Sequence, residues 1–137
     1  MNIAVRYFTR SGNTKKLALA IAEAVGVEAQ DVSVPLTEHT DILFLGSSVY
    51  AAGVDDAVKK FLAGNHDKIG TLYNFSTAAI ISSTYGQIKK LCAEHGIKLA
   101  EEEFHCRGSF TMMHKNHPDE ADIKNAAAFA KRVLESR

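Results

Sequence analysis

Two patterns of apolar residues follow each other along the chain: short continuous runs, and residues that recur at the spacing of a helix face. Residues 3–8 and 41–46 are nearly continuous apolar runs, a pattern typical of strands buried on both faces of a parallel sheet. Between these runs, apolar residues from Leu17 to Val25 recur at the spacing of one helix face. Gly26 follows them and is placed to end a helix with a positive φ. The pattern therefore predicts a buried strand, a helix and a second buried strand.

Strands and helices alternate through the rest of the chain. The predicted elements are a strand at 3–8, a helix at 14–25, a weak edge strand at 28–34, a strand at 41–46, a helix at 54–63, a strand at 70–75, a helix ending at Gly96, a strand at 98–106 and a helix with Pro118 in its first turn. This alternation predicts a parallel sheet with right-handed crossovers and helices on both faces. Four or five strands fit either half of a dinucleotide-binding fold or a sheet of order 2-1-3-4-5. In the second arrangement, a ligand binds beyond the carboxyl ends of strands 1 and 3.

Composition and charge narrow the class of protein. The 137 residues are the size of one domain, and 16 basic residues balance 16 acidic ones. A chain without net charge has no global basic field for nucleic acid. It has no apolar run long enough for a membrane span, and no signal peptide is predicted before the first strand. Its two cysteines, Cys92 and Cys106, form no Cys-x-x-Cys motif, and we expect free thiols in a cytoplasmic protein.

A short polar loop joins the first predicted strand to the first helix. It consists of Thr9, Arg10, Ser11, Gly12, Asn13 and Thr14. N–H groups at a helix start lack partners within the helix and lie at the positive end of its dipole. Hydroxyl and amide side chains around such an end can wrap a phosphate, and Gly12 lets the backbone approach it closely. Short polar residues also cap helices without any ligand. A cap needs one such residue, however, and four of the six positions carry them here.

The spacing of this loop differs from that of the two common nucleotide loops. It has neither Gly-x-Gly-x-x-Gly nor the Gly-Lys-Ser/Thr ending of a P-loop. It resembles the phosphate loop of flavodoxins, Thr/Ser-x-Thr/Ser-Gly-Asn-Thr directly after the first strand, at every fixed position. The resemblance implies a single flavodoxin-like domain over residues 1–137. Its α/β fold would be a three-layer sandwich, with a five-stranded parallel sheet of order 2-1-3-4-5 and helices on both faces.

The resemblance also implies a function. A flavodoxin binds one FMN non-covalently and carries electrons between redox protein partners, through the redox chemistry of the flavin. The alternative is a flavodoxin-like FMN-dependent oxidoreductase that acts on a quinone or a porphyrinogen. Its substrate pocket would draw on the predicted loop 108–117, which carries Phe110, Met112 and Met113. A third possibility is a regulatory module that kept the fold and lost the flavin.

The resemblance assigns the FMN phosphate to the first loop and the flavin ring to two later ones. The loop after strand 3 supplies Ser48, Val49, Tyr50, Ala51, Ala52 and Gly53. Tyr50 is its only aromatic residue and is expected to stack on the isoalloxazine ring, although it could instead pack on the following helix. The small residues after Tyr50 are expected to face the flavin N5. The sequence lacks the Trp-Gly or Met-Gly pair of well-known flavodoxins, so the peptide that faces N5 stays open.

The loop after strand 4 is expected to begin with Ser76, Thr77 and Ala78. By resemblance, its backbone groups approach the pyrimidine edge of the flavin, and Tyr85 is a candidate for a second aromatic wall. Arg10 is expected to face solvent or a partner protein, because hydroxyl and N–H groups can hold a phosphate without formal charge. An ion pair between Arg10 and the phosphate is the alternative.

Other residues that bear chemistry have simpler explanations. His114 and His117 are three residues apart, but no cysteine or carboxylate completes a tetrahedral set at the usual spacing, so no metal site is predicted. Cys92 and Cys106 are expected to be buried structural thiols. The acidic run Glu101–Glu103 is expected at a solvated edge, where it is available to a basic redox partner.

Overall fold

The computed structural model describes residues 1–10, 12–48, 53–78, 83–107 and 118–136. Strands and helices alternate through these ranges. In chain order they are strand β1 (Ile3–Tyr7), helix α1 (Asn13–Val25), β2 (Ala29–Asp31), β3 (Thr40–Ser48), α2 (Asp56–Asn65), a short 3-10 helix (His66–Lys68), β4 (Ile69–Ala78), α3 (Tyr85–His95), β5 (Lys98–Leu99), β6 (Phe104–Arg107) and α4 (Glu120–Glu135).

The described strands form one parallel sheet. Its order is β2-β1-β3-β4-β5, and β6 pairs with the carboxyl half of β4. Helices α1 and α4 pack on one face, and α2 and α3 pack on the other. The predicted order 2-1-3-4-5 with helices on both faces is confirmed, and half of a dinucleotide-binding fold is excluded. Because α1 and α2 leave the sheet on opposite faces, a crevice opens between the carboxyl ends of β1 and β3.

Each face of the sheet has its own apolar layer. Leu17 and Ile21, four residues apart on α1, are fully buried in one cluster with Phe44 of β3. The opposite face buries Leu62 of α2 and Ile88 of α3. The apolar residues that recur at helical spacing are therefore the ones that each helix buries against the sheet. The two layers pack the central strands tightly from both sides, beneath the crevice.

The edge of the sheet departs from the predicted single strand over 98–106. Leu99 pairs with Leu72 and Phe104 pairs with Phe75, so three residue steps on β4 face five steps on the edge. The two extra residues form a bulge that divides the predicted strand into β5 and β6. The physical reason is the acidic run between them, because two of its three glutamates stay exposed to solvent rather than bury their charge in a continuous strand.

Aspartate side chains set the starts of two helices. Asp55 caps α2 by accepting a backbone N–H, and Asp119 forms a reciprocal capping box with Asp122 at the start of α4. The prediction that Pro118 lies in the first turn of α4 is wrong, because the cap residue follows it and the helix begins one residue later still. Gly26 ends α1 with a φ of 78°, as predicted.

Candidate functional site

The two central strands change from apolar to hydroxyl residues at their carboxyl ends. The sequence pattern predicts loops at Ser48 and from Ser76 to Ala78, but β3 continues through Ser48 and β4 through Ala78. The prediction was wrong because these polar residues still pair in register, Ser47 with Ser76 and Ser48 with Thr77. Neighbouring residues of a strand point to opposite faces, so each pair faces one layer of helices.

On the α1–α4 face, three buried hydroxyl groups form a closed set that we call the hydroxyl triangle. Thr14 Oγ1 lies 2.6 Å from Ser48 Oγ and 3.0 Å from Thr77 Oγ1, and the last two oxygens are 3.0 Å apart. The three residues come from α1, β3 and β4, and none is more than 7% exposed. A hydroxyl donates one hydrogen bond and also accepts, so the three groups satisfy one another, and a hydroxyl that rotates out of the triangle can donate to a ligand instead.

Gly46 makes room for this triangle. A Cβ built on Gly46 would overlap the ring of Phe75 and would lie 2.9 Å from Thr14 Cγ2. The missing side chain therefore lets α1 approach β3 closely at this point. The sequence pattern predicts that the strand ends at Gly46, whereas β3 continues to Ser48 and the ring of Phe75 occupies the place that a side chain at Gly46 would take.

The start of α1 has no acidic neighbour among the described residues of its first turn. Gly12 precedes the helix in the left-handed conformation, with a φ of 89°, and its N–H donates to Thr9 Oγ1 at 3.0 Å. Among the described residues, no side chain caps α1 and no acidic residue lies in its first turn, whereas aspartates cap α2 and α4. A Cβ built on Gly12 meets no described atom within 4 Å. Among the described residues, the positive end of the α1 dipole thus has no carboxylate in its first turn and no atom crowding Gly12, a setting that suits an anion.

On the α2–α3 face, a second polar cluster holds the start of α3. Thr84 is fully buried, and its Oγ1 accepts hydrogen bonds from Ser47 Oγ at 3.0 Å and from Asn74 Nδ2 at 3.1 Å. Its N–H donates to Ser76 Oγ at 3.3 Å. The cluster fixes the point at which the chain enters α3, directly beside the carboxyl ends of β3 and β4.

Glu103 belongs to the same cluster, and the prediction of a solvated acidic run is wrong at this residue. Its Oε1 accepts from Ser83 Oγ at 2.5 Å and from Asn74 Nδ2 at 3.5 Å, and its side chain is 21% exposed. Glu101 and Glu102 are exposed, as predicted. Hydroxyl and amide donors compensate the carboxylate for its lost hydration, which is why one glutamate of the run turns inward.

Tyr85 begins α3 and turns toward the edge of the sheet. Its hydroxyl donates to the backbone oxygen of Ala100, in the bulge between β5 and β6, at 3.0 Å. Burial raises the pKa of Tyr85, and the carboxylates of Glu101 and Glu103 raise it further. The tyrosine is therefore a neutral donor to the bulge, and its role as an aromatic wall stays a prediction.

Arg10 reaches across the crevice between β1 and β3. Its Nη2 lies 2.7 Å from Asp55 Oδ2, and the two side chains are 62% and 17% exposed. The N–H of Ala57 and the guanidinium of Arg10 both lower the pKa of Asp55, so this carboxyl is ionised at neutral pH. Arg10 is thus exposed, as predicted, but its charge meets a carboxylate of the same chain.

The structure gathers the described members of the predicted site at one end of the sheet. The members at the start of α1 or at the ends of β1, β3 and β4 are Thr9, Arg10, Gly12, Asn13, Thr14, Ser48, Ser76, Thr77 and Ala78. Gly53 follows β3 with a φ of 105°. Candidate residues that lie outside the described ranges are Ser11, Val49, Tyr50, Ala51, Ala52, Phe110, Met112, Met113, His114 and His117.

Several residues at the carboxyl end of the sheet were not predicted to belong to the site. Asn74 offered a usable signal, because an amide inside an apolar strand needs buried partners. Asp55 and Thr84 offered no such signal in the sequence, because their partners are distant along the chain. Asp55, for example, pairs with Arg10, which lies 45 residues away. Such contacts depend on how the sheet assembles rather than on local pattern.

Both cysteines are free, as expected. Burial raises the pKa of Cys92, in α3, to about 11. Burial also raises the pKa of the half-buried Cys106, in β6, to about 12, with a further contribution from Asp122 and Asp119. Neither thiol is a ready nucleophile at neutral pH.

The part of the chain that the structure describes contains no group of three His, Cys, Asp or Glu side chains placed to hold a metal ion. Within the same ranges, none of the helices combines the length and the apolar character that crossing a membrane requires.

Comparison with known proteins identifies the family. A family model described as a flavodoxin domain matches residues 4–84, which is more than half of the chain. The chain belongs to the flavodoxin family. The matched range contains the loop from Thr9 to Thr14 and all of β3 and β4, so it includes the hydroxyl triangle and, except for Glu103, the second polar cluster.

Related proteins match this flavodoxin-family chain over at least 90% of its length. An uncharacterized protein of Methanocaldococcus jannaschii is 30% identical to this chain over an alignment that covers 90% of this chain and 91% of that protein. A flavodoxin from the domain Archaea has a TM-score of 0.80 at 17% identity, covering 99% of this chain and 98% of that one. Oxidised flavodoxin 1 from Bacillus cereus has a TM-score of 0.76 at 18% identity and 98% coverage of both chains. These structural likenesses show a shared fold.

Proposed function

We propose that this flavodoxin-family chain is a single domain that binds one FMN non-covalently and carries electrons between redox protein partners. The observation that most supports the proposal is the hydroxyl triangle at the start of α1. It puts buried hydroxyl donors from α1, β3 and β4 beside the positive end of a helix dipole, at the crevice where the sheet order reverses.

The donors at this end fit a phosphate ester. Phosphate oxygens only accept hydrogen bonds once the group is ionised, and the loop offers hydroxyl, amide and backbone N–H donors. The residues proposed to hold the phosphate are Thr9, Ser11, Gly12, Asn13, Thr14 and Ser48. Arg10 belongs to the same loop, but its guanidinium is paired with Asp55. Two observations support this chemistry. A Cβ on the left-handed Gly12 would meet no described atom within 4 Å, and no described residue in the first turn of α1 is acidic.

The flavin ring is proposed to lie against the segments that follow β3 and β4. The residues proposed for it are Val49, Tyr50, Ala51, Ala52, Gly53, Ser76, Thr77 and Ala78, with Tyr50 stacked on the ring. The positive φ of Gly53 supports a tight peptide beside a flat ligand. The polar cluster around Thr84 supports a rigid return of the chain from β4 to α3.

FMN, when bound, supplies the redox chemistry. The residues of the chain bind and orient it and limit its access to water. Phe44 and Phe75, fully buried behind the hydroxyl triangle, form an apolar floor that keeps water out of the sheet side of the crevice. Because the fold is held by two packed layers, the ends of β3 and β4 need little rearrangement when the cofactor binds or exchanges electrons.

Electron transfer by the FMN-loaded protein tests the function itself. We expect the reduced protein to lose its electrons stoichiometrically to ferricyanide, and to sustain only slow steady-state reduction of a soluble quinone with NADH or NADPH as reductant. Saturable quinone reduction over many turnovers would instead favour the oxidoreductase alternative. A protein that takes up no FMN would contradict both.

A further inference from the structure

Arg10 and Asp55 join the two sides of the crevice. Arg10 lies in the loop before α1, and Asp55 is the cap residue of α2. The two helices pack on opposite faces of the sheet, so their ion pair crosses the gap between the ends of β1 and β3. The contact is short, at 2.7 Å between Nη2 and Oδ2, as expected for a charge-assisted hydrogen bond.

Asp55 is the more firmly held member of the pair. Its Oδ1 accepts the N–H of Ala57 at 2.9 Å, while Oδ2 accepts from Arg10. Its side chain is 17% exposed, whereas that of Arg10 is 62% exposed. The carboxylate therefore sets the position of the flexible guanidinium, rather than the reverse.

Arg10 is close enough to the start of α1 for its charge to matter there. It stands two residues before Gly12, which is at most about 8 Å along the backbone, comparable with the Debye length of about 8 Å at physiological ionic strength. It is also the only basic residue of the loop from Thr9 to Thr14. A carboxylate at 2.7 Å cancels most of the field that this guanidinium would otherwise project toward an anion.

We infer that Asp55 is a positioning residue that withholds the charge of Arg10 from the bound phosphate, an inference that rests on the FMN site proposed above. Without the carboxylate, the guanidinium can turn toward the phosphoryl oxygens, which accept charge-assisted hydrogen bonds. Asp55 thus weakens FMN binding and leaves the phosphate to neutral donors. The affinity for FMN then depends less on the salt concentration than it would if an arginine held the phosphate.

The test compares Asp55→Asn with a matched control, Asp56→Asn. Asparagine is a good cap residue and keeps an oxygen for the N–H of Ala57, so α2 stays capped. Asp56 is adjacent and carries the same charge, but its side chain is 87% exposed and lies 3.7 Å from Lys59. The dissociation constant for FMN is measured for the apoprotein of each variant by flavin fluorescence, at low and at high salt.

We expect Asp55→Asn to lower the Kd for FMN about two- to fivefold at low salt and less at high salt. We expect Asp56→Asn to leave the Kd unchanged, and the gain to disappear in the double variant Arg10→Gln with Asp55→Asn. The single variant Arg10→Gln, which leaves the cap of α2 intact, should change the Kd less than about twofold.

Equal Kd values for the two aspartate variants, or a gain that survives in the double variant, would overturn the inference and leave the FMN site standing. A large loss of affinity in Arg10→Gln would also overturn it, because Arg10 would then already act on the phosphate. A wild-type protein that binds no FMN would contradict the proposed function first, and the inference with it.

Discussion

The side-chain oxygens of Thr14 and Ser48 lie 2.6 Å apart in a buried contact between residues 34 positions apart in sequence. The contact ties the first turn of α1 to the end of β3, and Thr77 ties both to the end of β4. The polar loop before α1 is therefore anchored in the sheet rather than standing alone as a helix cap. Changes in this triangle should affect folding and ligand binding together.

Thr77→Val tests the hydroxyl triangle. Valine keeps the branched shape but removes the hydrogen bonds to Thr14 and Ser48, which still bond each other. We expect the free energy of unfolding of the apoprotein to fall by about 1–2 kcal/mol, measured by urea denaturation. FMN should bind more weakly, because Thr14 loses a partner that orients it. Thr71→Val makes the same change at a buried site near the start of β4. An equal loss of FMN affinity in that control would argue against a special role for the triangle.

Gly46→Ala tests the close approach of α1 to β3. The added methyl group would overlap the ring of Phe75 and press on Thr14, so we expect a loss of about 1–3 kcal/mol in the free energy of unfolding. Gly64→Ala is the matched control, because Gly64 lies within α2 and an added Cβ meets no described atom within 4 Å. There we expect a gain of up to about 1 kcal/mol from helix propensity. Urea denaturation curves that shift in the same direction for both variants would contradict the packing argument.

Thr84→Val tests the polar cluster on the opposite face. The change leaves the hydroxyl of Ser47 and the amide of Asn74 without their shared partner in a buried place. We expect the free energy of unfolding to fall by about 1–3 kcal/mol, while Thr84→Ser, which keeps the hydroxyl, should recover most of it. If serine and valine cost the same in thermal or urea unfolding, the methyl packing of Thr84 rather than its hydrogen bonds would be what matters.

The raised pKa values of the two cysteines predict that the stability of the fold decreases at high pH. Their pKa values are raised by burial to about 11 for Cys92 and about 12 for Cys106, from an ordinary value of 9.0. A raised pKa means that the folded protein holds the proton more tightly than the unfolded chain. The contribution to stability is therefore intact below about pH 9 and is lost as the pH rises toward 11 and 12. We expect iodoacetamide to alkylate both thiols slowly in the folded protein at pH 8 and rapidly in urea. Rapid alkylation of the folded protein would show that a thiol is more accessible and more acidic than described.

The alternation of strands and helices and the place of the polar loop before α1 could be predicted because both depend on local pattern, whereas the order of the strands came from the resemblance to flavodoxins. Two apolar runs marked the central strands, and the spacing of Leu17 and Ile21 marked a helix between them. The helix was predicted to begin at residue 14 and begins at Asn13, because its start depends on residues within one short segment. Such features need no knowledge of distant partners.

The ends of the elements and the contacts of the site could not be predicted in the same way. The pair Ser47–Ser48 has the composition of a loop, and it is a strand only because β4 presents hydroxyl residues in register with it. Glu103 was predicted to be solvated like the rest of the acidic run, but the two-residue bulge turns its side chain toward Ser83. The salt bridge between Arg10 and Asp55 could not be predicted from the sequence, because a contact between two loops depends on the completed fold.

The central claim is that the hydroxyl end of the sheet binds the phosphate of FMN. The most direct measurement is a titration of the apoprotein with FMN and, separately, with riboflavin, which lacks the phosphate, followed by flavin fluorescence. We expect the wild-type protein to bind FMN more tightly than riboflavin, and Thr14→Val to remove most of that preference. Thr40→Val should keep it, because Thr40 is buried at the other end of β3 and its hydroxyl donates to the backbone oxygen of Glu38. Equal affinity of the wild-type protein for FMN and riboflavin, or binding of neither, would contradict the account.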